Sequence, residues 1–305
     1  MPRCWPGATE PESPGNTRGK ARAAFPLDAA PGPPGPRTGQ GNAPRDLDAG
    51  PRDAKLLSMF PIRDHNPSGR TPFVTYALIA ANIAIYFATW ELSQSPRALL
   101  AFYADFALVP AFLSDGYGFS GLVTSMFLHG GLLHLGGNML FLFIFGDNIE
   151  DELGHLGFAL FYLAAGVGAG LVHVFSAPYS VVPTVGASGA IAGVMGGYLL
   201  LFPRARVDIL IFLVVIIRIL PIPAWLMLAL WFGMQVLGGW GAAPDEGGVA
   251  YWAHAGGFVI GLLLTVPIWL RQGGPRFWRR HHGHPPHRPA RYQRATTRIP
   301  RIPRR

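Results

Sequence analysis

Two residue types that together can perform nucleophilic catalysis stand in otherwise apolar stretches of this chain. Ser188 lies in the sequence Gly-Ala-Ser-Gly, and His254 lies in Ala-His-Ala. A serine hydroxyl becomes a nucleophile when a histidine within hydrogen-bond distance accepts its proton. The oxyanion that forms then needs donors, and the Ser188 backbone N–H, His134 and the Asn138 amide are candidates. The residues therefore indicate acyl transfer without a carboxylate partner.

The candidate residues lie at similar heights in their apolar segments. The polar ends of these segments come 13, 15 and 17 residues after His134, Ser188 and His254. At about 1.5 Å per residue, the three side chains stand roughly 20 to 25 Å above those ends. Asn138 follows His134 by four residues and shares its helix face. If the segments are helices, His134, Ser188 and His254 lie at nearly one level, with Asn138 one turn below His134.

Glycines accompany the serine and the histidine at spacings that favour close helix contact. Gly257 and Gly261 follow His254 by three and seven residues, on the helix face that His254 occupies. Small residues at such positions allow helix backbones in a membrane to approach each other. We therefore predict that the histidine segment packs tightly on the serine segment.

Composition places these segments in a membrane. The chain has 305 residues, half of them hydrophobic and 14% charged, and residues 72–270 contain no lysine and only four arginines. A soluble domain of that size keeps more charge, so the pattern indicates a polytopic membrane protein. Residues 271–305 carry eleven arginines and no acid. A basic tail beside a membrane is a topology signal, and no nucleic-acid partner is expected.

The predicted fold is an all-α polytopic bundle of six transmembrane helices. Residues 91–131 are too broken by Pro, Gly and Asp to span, and we predict a long outer-interface loop between the first two spans. Residues 207–220 have an uninterrupted apolar run of only nine residues, which predicts an interfacial segment. The six predicted spans are residues 73–90, 132–145, 158–175, 185–202, 224–240 and 251–270.

Three regions follow from this pattern. Residues 1–58 are rich in Pro and Gly and are predicted to be a disordered arm, residues 59–270 form the six-span domain, and residues 271–305 form a disordered Arg/His-rich tail. Six spans place both termini on one side, and the positive-inside rule makes that side cytoplasmic. The short six-span core favours a bacterial inner membrane as the location of this multi-pass protein.

The chain resembles the rhomboid intramembrane serine proteases over roughly residues 59–270. The resemblance lies in three motifs, His-Gly-Gly-Leu-Leu-His-Leu-Gly-Gly-Asn at 129–138, Gly-Ala-Ser-Gly at 186–189 and Ala-His-Ala-Gly-Gly-Phe-Val-Ile-Gly at 253–261. It implies that Ser188 is the nucleophile, that His254 is its base, and that His134 and Asn138 are oxyanion donors. It also implies that the protein cuts single-pass transmembrane substrates near the outer face of the lipid bilayer, without a cofactor or metal.

Two positions depart from the pattern of that family. Many members carry Trp-Arg about nine residues before His129, where this chain has Ser120 and Gly121. Some members place an aromatic residue four positions after the serine, to stack on the histidine, where this chain has Ala192. We therefore expect the outer loop to be held, and the base to be positioned, by other residues.

Three other functions are alternatives to proteolysis by a serine. An intramembrane metalloprotease needs His-Glu-x-x-His on a helix, and the sequence has no such string. A transporter should show broken hydrophobic segments in matching halves, and the halves do not match. The remaining alternative is a rhomboid-like protein that binds or chaperones membrane proteins without cutting them. Such relatives lack the serine or the histidine, and this chain has both.

Overall fold

The computed structural model describes residues 58–213, 216–241 and 248–281, and most of these are helical. All but the last residue of the predicted arm (1–58), and residues 282–305 of the predicted tail (271–305), lie outside this range; residues 275–281 of that tail form a helix. Two short 3₁₀ helices lie at Trp90–Gln94 and Ser125–Phe127. The α-helices are α1 (Phe73–Ala88), α2 (Pro96–Phe106), α3 (Pro110–Ser114), α4 (Gly121–Thr124), α5 (Leu132–Ser176), α6 (Ser188–Leu201), α7 (Ala224–Gly241), α8 (Tyr251–Arg271) and α9 (Pro275–His281).

Each predicted span falls on an apolar helix or on half of one. In the described residues, α5, α7 and α8 are long and apolar enough to cross a membrane, whereas α1 and α6 are apolar but shorter. The second and third predicted spans are joined in α5, which turns at Gly154 with φ of 70°. These helices fit a membrane bundle, and six crossings remain a prediction.

The prediction of a helical membrane bundle is confirmed, but the fold is not all-α, because three strands form an antiparallel sheet. Residues 207–220, expected to be an interfacial segment, belong to a hairpin of β2 (Arg206–Leu213) and β3 (Ile216–Pro223). On its other edge, β2 pairs with β1 (Ser58–Asp64). The first residue of β1, Ser58, is the last residue of the predicted arm. The run of Ile and Val is too short to span and suits a strand, and its partner stands about 150 residues earlier in the chain.

A buried carboxylate joins α1 to α5. Glu150, only 1% exposed, accepts hydrogen bonds from the backbone N–H groups of Val74 and Thr75 and from the Thr75 hydroxyl. These backbone groups lie in the first turn of α1, where N–H groups have no acceptor within the helix. The negative charge also suits the positive end of the helix dipole. Glu150 therefore caps the first helix.

The loop at residues 91–131, predicted to lie at the outer interface, contains α2, α3 and α4 and is held by backbone contacts. A Cβ added to Gly121 would lie 2.4 Å from the Ala107 carbonyl oxygen, so only glycine fits there without movement. The Thr124 hydroxyl donates to the Phe106 carbonyl at 2.6 Å. Glycine at a position where many relatives have Trp-Arg thus brings α4 directly onto the end of α2.

The α6–α8 interface is the tightest contact of the bundle that positions the site. A Cβ on Gly261 would lie 2.0 Å from the Gly193 carbonyl oxygen, and one on Gly257 would lie 2.1 Å from that of Gly189. These separations leave no room for a side chain between the two backbones. The spacing of glycines after His254 predicts this contact, and the structure confirms it.

We expect Gly261→Ala to lower the midpoint of thermal unfolding in detergent by several degrees. The added methyl group overlaps backbone on α6, and overpacking of this kind costs about 1–3 kcal/mol or more. The matched control is Gly233→Ala on α7, where an added Cβ meets nothing within 4 Å. This control should be neutral or slightly stabilising because alanine favours helix. Equal midpoints for the two variants would contradict the tight contact.

The sheet is joined to the bundle at the end of α6. The Tyr198 hydroxyl donates to Asp64 Oδ2 at 2.7 Å, and Asn66 Nδ2 donates to the same hydroxyl at 3.4 Å. Asn148 on α5 donates to the Asn66 carbonyl at 2.6 Å. Burial raises the pKa of the Asp64 carboxyl to about 6, although the hydrogen bond from Tyr198 acts in the opposite direction. The fold therefore favours the neutral form of Asp64.

This raised pKa predicts a pH dependence of stability. The contribution of neutral Asp64 is fully present below the unfolded pKa of about 3.9 and is lost as the pH rises through about 6. Thermal unfolding from pH 4 to 7 should therefore show a smaller decline for Asp64→Asn than for the wild type. Parallel curves for the two proteins would contradict the prediction.

Candidate active site

Ser188 and His254, the candidate pair predicted from the sequence, are in direct contact. Ser188 is the first residue of α6, and His254 lies in the first turn of α8. Ser188 Oγ and His254 Nε2 are 2.7 Å apart, which is a hydrogen-bond distance. The two side chains are part-buried, so the contact is sheltered from bulk water.

A third side chain determines which nitrogen of His254 carries the proton. Gln235 Oε1 lies 2.8 Å from His254 Nδ1. An amide oxygen only accepts, so Nδ1 carries the hydrogen and donates it to Gln235. The lone pair of Nε2 then faces Ser188, whose hydroxyl donates to it. This neutral tautomer is the one that can take a proton from the serine.

Trp231 lies beside the same imidazole ring. The ring centroids of Trp231 and His254 are 5.9 Å apart, with 31° between the ring planes. Trp231 and Gln235 are four residues apart on α7, so they share one helix face. Because Ala192 stands where an aromatic residue stacks on the histidine in some members of the resembled family, other residues were predicted to position His254. The structure places Trp231 and Gln235 against the base instead.

Sequence reasoning missed Gln235, although a signal was present. It is the only amide or charged side chain in α7, whose other residues are apolar, aromatic or glycine. Its side chain is only 8% exposed. A polar residue inside a transmembrane segment is usually functional and has a partner. The partner was hidden because sequence does not show which helix face meets α8.

His134 and Asn138 lie on α5 and line the same cavity as Ser188 and His254. The Gly130 backbone N–H donates to His134 Nδ1 at 3.4 Å, so the proton of the neutral ring is on Nε2. Asn138 is 8% exposed, and its Nδ2 is buried with no hydrogen-bond partner in the described residues. A buried amide donor without a partner costs about 1–3 kcal/mol, so a ligand that accepts this hydrogen bond in the cavity would be favoured.

Gly186 allows His134 to approach the serine. Its φ of 132° lies in the region that favours glycine. A Cβ at Gly186 would lie 2.8 Å from His134 Nε2 and 3.5 Å from Ser188 Oγ. His134 Nε2 and the serine oxygen therefore both lie close to the position that a Cβ of residue 186 would occupy. A side chain at residue 186 would have to push the histidine away.

The start of α6 adds backbone donors. Its cap residue, Ala187, makes no side-chain hydrogen bond to the first turn. The first N–H groups of a helix have no acceptor within it, and they carry the positive end of its dipole. The Ser188 N–H is one of these groups. Negative charge that develops beside Ser188 would thus face the N-terminus of a helix.

These residues enclose one cavity of about 680 Å³. This volume is in the usual range of a ligand site. In residues 58–213, 216–241 and 248–281, His, Cys, Asp and Glu side chains form no group of three that could hold a metal ion. His129 and His134 lie near each other, with ring centroids 5.1 Å apart, but no third ligand joins them. The chemistry available in the cavity is that of the serine, the histidines and the amides.

A family model described as the Rhomboid domain matches residues 117–271, about half of the chain. The chain belongs to the rhomboid family, which confirms the resemblance seen in its motifs. The family and the apolar helices make it an integral membrane protein. The cavity lies within the matched region, since all four candidate residues do.

Several curated proteins are similar to this chain. It is 30% identical over 199 residues to "Rhomboid protein 1, mitochondrial" from Saccharomyces cerevisiae, covering 62% of this chain and 51% of that protein. "Rhomboid-like protein 11, chloroplastic" from Arabidopsis thaliana is 38% identical over 116 residues, which are 38% of each chain. "Rhomboid protease GluP" from Bacillus subtilis is 35% identical over 131 residues, which are 42% of this chain and 24% of that protein.

The relatives differ from this chain in length, and some are named for organelles. The chain spans about half the length of the yeast relative and 53% of "RHOMBOID-like protein 4" from Arabidopsis thaliana. Two of the relatives are named as mitochondrial and chloroplastic proteins, so these similarities do not support the prediction of a bacterial inner membrane. What the chain and its relatives share is the rhomboid domain with its apolar helices.

Proposed function

We propose that this protein is an intramembrane serine endopeptidase. The observation that carries the proposal is the 2.7 Å contact between Ser188 Oγ and His254 Nε2, in a cavity of a rhomboid domain. The Gln235 contact supports it, because it leaves Nε2 free to accept the serine proton. Serine and histidine in this arrangement are an activated nucleophile and its base.

The reaction proceeds in two acyl transfers. Ser188 Oγ attacks the carbonyl carbon of the scissile peptide bond while His254 Nε2 takes the hydroxyl proton. The tetrahedral intermediate collapses, the C–N bond breaks, and the imidazolium gives its proton to the leaving amine. Water, deprotonated by His254, then attacks the acyl-enzyme ester and releases the second fragment with Ser188 restored. Atoms and protons balance without a cofactor.

Three donors stabilise the oxyanion of each tetrahedral intermediate. They are the Ser188 backbone N–H, the Nε2–H of His134 and the unpartnered Nδ2 of Asn138. All three come from elements that the packing of α5 against α6 holds in place. Donors that are already oriented stabilise developing charge without a cost of reorganisation, and removing one such donor typically costs about 10²–10³ in rate.

The base is supported without a carboxylate. Gln235 orients the ring through Nδ1 but brings no charge to balance the imidazolium. The Trp231 ring lies within the distance of about 6 Å at which an aromatic face attracts a cation. Trp231 therefore stabilises His254 once it has taken the proton. Gln235 and Trp231 together position the histidine, as an aromatic residue in place of Ala192 does in some members of the family.

The substrates are single-pass transmembrane proteins, cut near the outer face of the bilayer. α6 has 14 residues and is about 21 Å long, against about 30 Å of hydrocarbon. With the arginine-rich side cytoplasmic, as the six-span topology requires, Ser188 lies below the outer surface. Substrate segments with small or helix-destabilising residues would unwind there and enter the cavity as an extended strand.

Replacement of either dyad residue should abolish proteolysis. We expect Ser188→Ala and His254→Ala to lower cleavage of a single-pass reporter in proteoliposomes by at least about 10³-fold, since each removes a group that the other needs. The matched control is Ser176→Ala, because Ser176 lines the same cavity but donates to the His173 carbonyl. Unchanged thermal midpoints show that the variants fold.

Two results would count against this mechanism. Cleavage by Ser188→Ala at the wild-type rate would exclude Ser188 as the nucleophile. A wild-type protein that binds several helix-destabilised reporters and cuts none of them would instead support the non-proteolytic binder.

Gln235 should act as a positioning residue for His254. We expect Gln235→Met, similar in size but without an acceptor for Nδ1–H, to lower kcat about 10- to 100-fold with little change in KM or thermal midpoint. Gln235→Glu keeps an acceptor and should recover most of the rate. The neighbouring substitution Met234→Leu, at a residue 60% exposed, is the control. A loss of rate that Glu does not restore, or one that follows the thermal midpoint, would show a merely structural role.

A further inference from the structure

A second cavity lies at the opposite end of α6 from Ser188. It has a volume of about 910 Å³ and is bounded by the C-terminal part of α6, the start of α7, α8 and the short helix α9. Its lining is mostly apolar, with Leu199, Leu200 and Leu262 among the lining residues. Two arginines, Arg204 and Arg279, also line it. The cavity is therefore an apolar groove with positive charge.

α9 is attached to the bundle, which gives the groove a defined wall. Trp278 Nε1–H donates to the Leu200 carbonyl at 3.0 Å, and its ring lies against Trp269 with centroids 4.8 Å apart. Phe277 is only 5% exposed. The Leu200 carbonyl belongs to the last turn of α6, where carbonyls receive no hydrogen bond from an N–H group of the same helix. Trp278 thus gives the Leu200 carbonyl a hydrogen-bond donor and attaches α9 to the end of α6.

Charge and depth identify the class of molecule that fits this groove. Residues 271–281 contain four arginines and no acid. With Ser188 near the outer face, the far end of α6 lies at the cytoplasmic interface, about 21 Å away. Basic pockets between helices on that side of a membrane suit anionic lipid headgroups. Tryptophan is also enriched at that level, and Trp225 and Trp278 line the groove.

We propose that this groove binds an anionic phospholipid. The lipid phosphate lies between Arg204 and Arg279, and an acyl chain lies along Leu199, Leu200 and Leu262. Arginine forms charge-assisted hydrogen bonds to phosphate with two N–H groups. A free phosphate ion would leave the leucines uncovered, whereas a lipid covers both parts of the lining. The bound lipid would join the end of α6 to α9 and stabilise the folded protein.

The first experiment measures lipid retention by the full chain. The protein is purified in neutral detergent, supplied with dioleoylphosphatidylglycerol or dioleoylphosphatidylcholine, and examined by native mass spectrometry. We expect selective retention of phosphatidylglycerol and a higher thermal midpoint with it. Arg204→Gln and Arg279→Gln should each weaken retention about tenfold, the loss of one charge-assisted contact. Arg276→Gln and Arg280→Gln, on α9 but outside the groove lining, should stay within about twofold.

A second variant tests the apolar part without changing charge. Leu200→Phe should also weaken retention, because the larger ring fills space that the acyl chain needs. It serves equally if Arg204→Gln fails to fold. Inorganic phosphate at millimolar concentration should neither compete with the lipid nor raise the thermal midpoint.

Three outcomes would overturn the proposal. Equal losses for all four arginine variants would show diffuse attraction to a basic surface. Full retention by Leu200→Phe would show headgroup binding without a groove. A midpoint raised equally by inorganic phosphate would indicate a simple anion site. The readout is lipid binding, so the result does not depend on the proposed protease activity.

Discussion

The contact between the backbones of α6 and α8 is the constraint on which the site depends. Gly257 and Gly261 meet carbonyl oxygens of α6 at distances that exclude a Cβ. This separation brings the first residue of α6 within 2.7 Å of a histidine in the first turn of α8. Lipid tails are as apolar as leucine, so close packing of small residues stabilises such a pair where the hydrophobic effect cannot. A wider interface would leave Ser188 and His254 in the same cavity without a hydrogen bond.

A neutral partner for the base suits the surroundings of this site. A buried carboxylate beside His254 would have to lose its hydration, which is expensive in a low-dielectric interior. An amide orients the imidazole at a smaller cost, and an aromatic face stabilises the imidazolium when it forms. In the proposed mechanism, Gln235 and Trp231 supply these two functions from a single face of α7. Few residues of α7 are buried besides Gln235. A movement of this helix would change the distances of Gln235 and Trp231 from His254.

The two ends of α6 have opposite chemical characters. At its start, uncapped N–H groups, Gly186 and His134 converge on Ser188. At its end, Tyr198 donates to Asp64 of the sheet, and the Leu200 carbonyl accepts from Trp278. The helix is almost fully buried between these ends, with eleven of its 14 residues inside the bundle. It therefore separates the candidate site at its start from the contacts with the sheet and α9 at its end.

The amino-acid sequence by itself determined the membrane setting and the candidate residues, because composition reveals the apolar segments, and helix rise and membrane thickness restrict where polar residues can meet. Its three motifs indicated the family. The glycine spacing after His254 likewise predicted which faces of two helices would touch. Tertiary structure alone decided the rest. β1 pairs with β2 from about 150 residues away, and such a partner leaves no local pattern. The facing of Gln235 toward His254, the fit of Gly121 against Ala107 and the docking of α9 depend on how whole elements are oriented, since side-chain contacts between distant segments are set by packing and not by local spacing.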